Sequence, residues 1–224
     1  MKAKRLVAVL TAVSLMAGLC GMAEPNADQK IKLEQNSTST PALGGKLLYD
    51  GYTLQWADDF NGSELNRGDW NIELHAPGWV NNELQAYVDS PENIYLENGS
   101  LVIKPIEQKN PDGTVSYTSG RVNTQNKHDF KYGIFEARIK VPEGQGFLPA
   151  FWMMPTNENL YGQWPRCGEI DIMEVLGNDT DKSYGTIHYG NPHSESQGSY
   201  QLTAGSFSEE YHNFAVEWEP GRIS

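Results

Sequence analysis

The stretch FEARIKV alternates without a break: Phe135, Ala137, Ile139 and Val141 point one way, and Glu136, Arg138 and Lys140 the other. That period fits a half-buried strand, and no stretch of the chain shows the sustained spacing of an amphipathic helix. From Lys46 onward the sequence falls into short segments bounded by turn residues, among them YTLQWADDF, NIYLENGSLVIKP, YGIFEARIKVPEG, EIDIMEVLG and YHNFAVEWEPG. The turns NG, DG and PEG suit antiparallel hairpins. The expected class is therefore all-β, with antiparallel strands stacked as a sandwich or jelly roll and no internal repeat.

The two ends do not belong to that pattern. MKAKR is a basic start, LVAVLTAVSLMAGL an apolar run too short for a comfortable membrane span, and GMA a small-residue cleavage signal. Residues 1–23 are read as a signal peptide for export, cleaved after Ala23; the alternative is a lipoprotein anchored to the membrane through Cys20. Residues 24–45, polar and rich in Ser, Thr, Asn and Pro, are read as a flexible tether. The domain proper is 46–224, and HNFAVEWEPGRIS ends it in mid-hairpin, so strands completing the sheets are expected beyond Ser224.

Charge and cysteine content narrow the function classes. The chain carries 17 Lys and Arg against 29 Asp and Glu, a net of −12; cleavage after Ala23 removes Lys2, Lys4 and Arg5 but no acid, giving −15. Such a chain is a poor ligand for nucleic acid or anionic lipid. Cys167 is the one thiol left after cleavage, so a core rather than crosslinks must hold the fold. With carboxylates beside it, Cys167 reads as a small apolar residue and not as a nucleophile.

The stretch GEIDIMEVLG sets three acids among aliphatic residues. Glu169 and Asp171 share one face of a strand, and Ile170 and Ile172 the other; strict alternation would send Glu174 to the apolar side, where an unpaired carboxylate costs several kcal/mol. One extra residue accommodated as a β-bulge at Ile172 or Met173 returns Glu174 to the face of the other two. The glutamate Cα atoms then lie ~13 Å apart, and side chains leaning inward bring the carboxyls to about 5–6 Å. A pair at about 5–5.5 Å suits retaining glycoside hydrolysis, whereas more than about 6.5 Å leaves room for the water of an inverting mechanism. A calcium site and a merely solvated face are the alternatives, but calcium recruits loop carbonyls that a regular strand does not offer.

At these residues the chain closely resembles the glycoside hydrolase family 16 enzymes of the laminarinase-like endo-β-1,3-glucanase branch. The resemblance runs from Tyr52 to Ser224 on NNELQAY, SGRVNTQNKHDFKYGIFEARIKVPEGQG, PAFWMMP, WPRCGEIDIMEVLG and GTIHYG. It implies a concanavalin A-like β-jelly roll of two curved sheets, with a β-glucan polysaccharide in the concave cleft. It also implies Glu169 as nucleophile, Glu174 as acid/base and Asp171 as the assisting carboxylate between them. No cofactor is expected for the chemistry; a structural calcium occurs in relatives, and no metal ligands are assigned here.

A sugar site also needs aromatic faces for C–H stacking and planar polar groups for hydroxyls. Trp152 and Trp164 are the stacking candidates, Asn82, Glu83 and Arg121 the hydroxyl binders, and His188 resembles the family's cleft histidine. Trp152 serves equally as core packing, Arg121 as a salt-bridge partner of the acids, and Trp79 as cleft or loop. Leu148 stands where relatives commonly carry Trp, which weakens one stacking platform. The expected activity is a secreted, monomeric endo-β-1,3-glucanase; the alternatives are the same machinery acting on mixed-linkage glucan or agarose, a non-hydrolytic β-glucan-binding module, or an inactive fragment. Sequons begin at Asn36, Asn61, Asn98 and Asn178.

Overall fold

The computed structural model describes residues 5–14, 49 and 51–224. The cleavage position at Ala23, the anchor candidate Cys20, the tether at 24–45 and the sequon at Asn36 lie outside those residues. The first strands are β1 (Arg5–Ser14), β2 (Tyr52–Asp58), β3 (Asn71–Ile72) and β4 (Gln85–Tyr87). They are followed by β5 (Ile94–Glu97), β6 (Ser100–Ile103), β7 (Ile106–Lys109) and β8 (Val115–Ser119). Next come β9 (Val122–Asn123), β10 (Gly133–Ile139), β11 (Ala150–Met153) and β12 (Glu169–Val175). The last four are β13 (Lys182–Tyr189), β14 (Ser194–Gln201), β15 (His212–Glu219) and β16 (Arg222–Ile223). Among the described residues the one helical piece is a 3-10 turn at Glu158–Leu160, so the all-β expectation holds.

The larger sheet runs β16-β15-β10-β1-β6-β5, with β2 also paired to β1; a four-stranded sheet runs β11-β12-β13-β14. Two small ribbons, β3-β9 and β4-β8-β7, complete the strands. Many sheet neighbours are distant in sequence, as β15 is from β10, which is the connectivity of a jelly-roll sandwich. The expectation of wholly antiparallel sheets needs correction at two places. β1 runs parallel to β10, β2 and β6, and β4 parallel to β8. Parallel pairing demands a long crossover, and β5, β6 and β7 supply one between β4 and β8. The run that supplies β1 is the apolar run of the expected export peptide, and its β-branched residues fall at alternate positions 7, 9, 11 and 13.

The core lies between the two main sheets. Ala137 and Ile139 of β10, Leu101 and Ile103 of β6, and Phe214 of β15 meet Met173 and Val175 of β12, with Phe60, Leu65, Trp70 and Phe207 closing the ends. Phe135 and Val216 extend it toward Ile170 and Ile172. The alternation of FEARIKV is thus realised as expected, its apolar face turned inward. On the opposite face Arg138 is exposed and Lys140 half-buried, but Glu136 is buried and accepts a hydrogen bond from the Tyr49 hydroxyl. Burial pushes both groups up, Glu136 despite that bond and Tyr49 with its help.

Candidate active site

Gly168, at a φ of +88° that favours glycine, turns the chain into β12. On one side of β12, Trp152 faces Asp171 and Phe151 faces Met173, which leaves Ile172 without a partner. On the other side Thr186 faces Asp171 and Tyr184 faces Glu174, so Gly185 alone spans Ile172 and Met173. This is the bulge that the acid spacing demands. Both bulge residues turn toward the interior, Met173 and Val175 fully buried and Ile172 packed on the core, while Glu169, Asp171 and Glu174 share the outward face. Directly opposed residues share a face, so Ala150, Trp152, Tyr184, Thr186 and His188 surround the three acids.

Each acid is held differently. The Trp164 indole N–H donates to Glu169 Oε2 at 2.6 Å. Asp171, only 7% exposed, lies 3.2 Å from His188 Nε2 through Oδ2. Burial pushes the Glu174 carboxyl up to about 7, and the Asp171 charge adds to it while His188 opposes. Burial and Asp171 also raise Glu169, with the Trp164 N–H and the charges of His188 and Arg121 pulling the other way. The hydrogen bond to Asp171 raises His188 against its own burial. One face therefore offers an acid that keeps its proton near neutrality and a carboxylate whose anion is met by an N–H donor.

A second polar cluster lies beside the first. Glu73, whose backbone N–H continues the β3-β9 ribbon to Arg121 O, accepts from Arg121 Nε at 3.0 Å and Asn123 Nδ2 at 2.7 Å, and meets His75 Nε2 at 2.9 Å. Burial alone would raise this carboxyl, but Arg121, Asn123 and His75 together hold it below its ordinary value. The Arg121 guanidinium lies over three rings, with its carbon 4.4 Å from the centroid of Trp152, 5.2 Å from Trp79 and 5.8 Å from Tyr87. Trp79 in turn stacks flat on His75 at 3.4 Å. Glu83 is buried and accepts from the Tyr87 hydroxyl at 2.8 Å and Gln85 Nε2 at 3.1 Å.

The structure thus brings Glu169, Asp171, Glu174, Trp152, Trp164 and His188 into one constellation, with Arg121 joined to it through Trp152. Arg121 pairs with Glu73 and not with the three acids, which corrects the salt-bridge alternative. Glu83 belongs to the Tyr87 network, and Asn82 stays exposed in a left-handed turn with Asn81. Sequence reasoning missed Glu73 and His75, although their two-residue spacing in NIELH places both on one strand face. Burial, then the Glu158 and Glu169 charges, push the Cys167 thiol up, away from nucleophilic use.

The sandwich and its acid face define the class of protein, and comparison with known proteins agrees. The model of the glycosyl hydrolases family 16 matches residues 78–224. This chain belongs to that family. It is 35% identical over 216 residues to glucan endo-1,3-beta-glucosidase A1 of Niallia circulans, covering 89% of this chain and 31% of that protein. The glucan endo-1,3-beta-glucosidase of Cryptopygus antarcticus is 39% identical over 180 residues, covering 77% and 65%. Among solved structures, the laminarinase catalytic domain of Thermotoga maritima MSB8 superposes with a TM-score of 0.61 at 40% identity, covering 72% of this chain and 68% of that one. The chain spans between about a third and two thirds of the length of these curated relatives.

Proposed function

We propose that the chain hydrolyses internal β-1,3-glucosidic bonds of laminarin-type glucans by retaining double displacement. The observation that carries the reading is the division of labour on β12, where Glu174 is pushed up to about 7 and Glu169 is met by the Trp164 N–H. In the first step the Glu169 carboxylate bonds to the anomeric carbon while Glu174 gives its proton to the departing glycosidic oxygen. In the second, Glu174 takes a proton from water, the water oxygen bonds to the same carbon, and Glu169 leaves as carboxylate. The Asp171 charge, placed beside Glu174 and against His188, favours the protonated acid. This sequence uses carboxyl groups and water alone. Trp152 and Trp164 offer stacking faces and Arg121 a hydroxyl donor. The linkage rests on the names of the relatives, which are endo-1,3-beta-glucosidases.

Release of reducing ends from laminarin, with Glu169→Gln as the blank, tests the activity; turnover equal to the blank defeats it. The anomeric configuration of the first product tests retention separately. We further propose that the protein acts as an exported monomer. Export and strand β1 are alternative uses of the same residues, and N-terminal sequencing of protein recovered from culture medium decides between a start at Glu24 and an uncleaved chain.

A further inference from the structure

Beyond the acids, the hairpin of β13 and β14 gathers a second donor set. His188 Nδ1 and His193 Nε2 lie 3.0 Å apart, and Glu195 Oε2 is 3.4 Å from the first and 3.9 Å from the second. Zinc bonds of about 2.0–2.2 Å in a tetrahedral site set ligand atoms about 3.3–3.6 Å apart. These three atoms therefore already stand near the corners of one face of such a tetrahedron. The two imidazole rings are 5.2 Å apart by centroid, with the Trp164 ring 5.2 Å from His193 as a wall.

The chemistry of the set agrees with its spacing. His188 Nε2 lies against the Asp171 carboxylate, so the neutral ring places its N–H there and presents the Nδ1 lone pair toward His193. Two ring nitrogens at 3.0 Å must then share one hydrogen or both turn lone pairs on a cation. Asp171 behind His188 completes the carboxylate–histidine arrangement that orients and strengthens a metal-bound imidazole. His193 and Glu195, 40% and 43% exposed by side chain, leave a path for entry and a fourth corner for water. Two imidazoles and one carboxylate favour zinc-class ions over calcium, which takes oxygen donors. The other grouping of ligand-type side chains among the described residues, Glu169, Asp171 and His188, has its Glu169 oxygen already engaged by Trp164.

We propose that His188 Nδ1, His193 Nε2 and Glu195 form a site for one zinc-class divalent cation at the rim of the acid face. The site does not depend on the glucanase reading, because its donors can be tested by binding alone. The experiment is calorimetric titration of Zn2+ into the full chain, with Co2+ as a spectroscopic substitute. One ion per chain and tetrahedral Co2+ absorption bands are expected. His193→Ala should weaken Zn2+ by about tenfold or more, Glu195→Gln should weaken it as well, and Cys167→Ser should leave it unchanged. Both rim variants change exposed side chains, so folding checked by circular dichroism should be intact. Undiminished Zn2+ binding in both His193→Ala and Glu195→Gln would overturn the site. So would its loss in Cys167→Ser, or Ca2+ binding that is equally tight and equally sensitive to His193.

Discussion

Glu73 and Glu174 are both partly buried carboxylates near an aromatic wall, yet protons bind them in opposite senses. Burial raises each; at Glu73 the Arg121 guanidinium, Asn123 and His75 overcome it, whereas at Glu174 the Asp171 charge reinforces it. Desolvation sets the direction only until a partner outweighs it. The Glu73 cluster is a compensated frame, and the Glu174 cluster stores uncompensated proton affinity where chemistry is to occur. Every experiment that separates these roles tests the comparison.

The largest expected contrast is in turnover. Glu169→Gln and Glu174→Gln should each lower kcat on laminarin by roughly 10²–10⁴-fold, the range for removing a group that acts on the reacting atoms. Circular dichroism should stay native, because both side chains face away from the core. Glu73→Gln should lower kcat/KM by only about tenfold, or about 1.4 kcal/mol, by loosening Arg121. Equal losses at Glu73 and Glu174 would erase the distinction between frame and acid.

Stability should divide the two residues next, with opposite slopes in pH. The folded pKa of Glu174, about 7, lies above the ordinary glutamate value of 4.5. The unfolded chain therefore releases that proton first, and Glu174 subtracts stability as pH rises from about 4.5 through about 7. Glu174→Gln should be more stable than the parent at pH 8, by roughly 3 kcal/mol, and equal to it below pH ~4. Glu73 has its folded pKa lowered, so its contribution is present above the unfolded pKa and is lost as pH falls through the folded one. Glu73→Gln should therefore be less stable at pH 7, by about 1–3 kcal/mol, with the gap closing on acidification. Urea midpoints across pH 3–9 measure both, and parallel curves would refute the opposition.

How far these clusters could be read beforehand follows the same division. The acid strand was legible because its constraint is local: three carboxylates within six positions and a period of two force the bulge between Asp171 and Glu174. The inward face of FEARIKV was legible for the same reason. The frame was not, because Glu73, Arg121 and Trp152 meet only through the two-residue ribbon β3-β9 and the placement of β11. Such pairings are set by long-range register, which leaves little trace in a window of ten residues. Burial of Glu136 under Tyr49, and the parallel partners of β1 and β4, escaped on the same ground.

The smallest expected effect concerns the Trp164 indole N–H, which donates directly to the nucleophile candidate. Trp164 is 46% exposed, so its bond to Glu169 acts in a partly solvated setting and contributes less than the about 1.5–3 kcal/mol of a bond to a buried charge. Trp164→Phe keeps an aromatic face for sugar stacking but removes the N–H. The Glu169 anion then loses a stabilising partner while the Asp171 charge remains, so its pKa should climb further. The acid limb of the kcat/KM profile should move to higher pH, with a loss of about fivefold at pH 5, about 1 kcal/mol, that shrinks as pH rises toward neutrality. A uniform loss at every pH, appearing in KM, would instead mark Trp164 as a stacking platform alone. Glu169 would then owe its ionisation to His188 and Arg121, and the compensated frame around Glu73 would reach into the acid face rather than stand beside it.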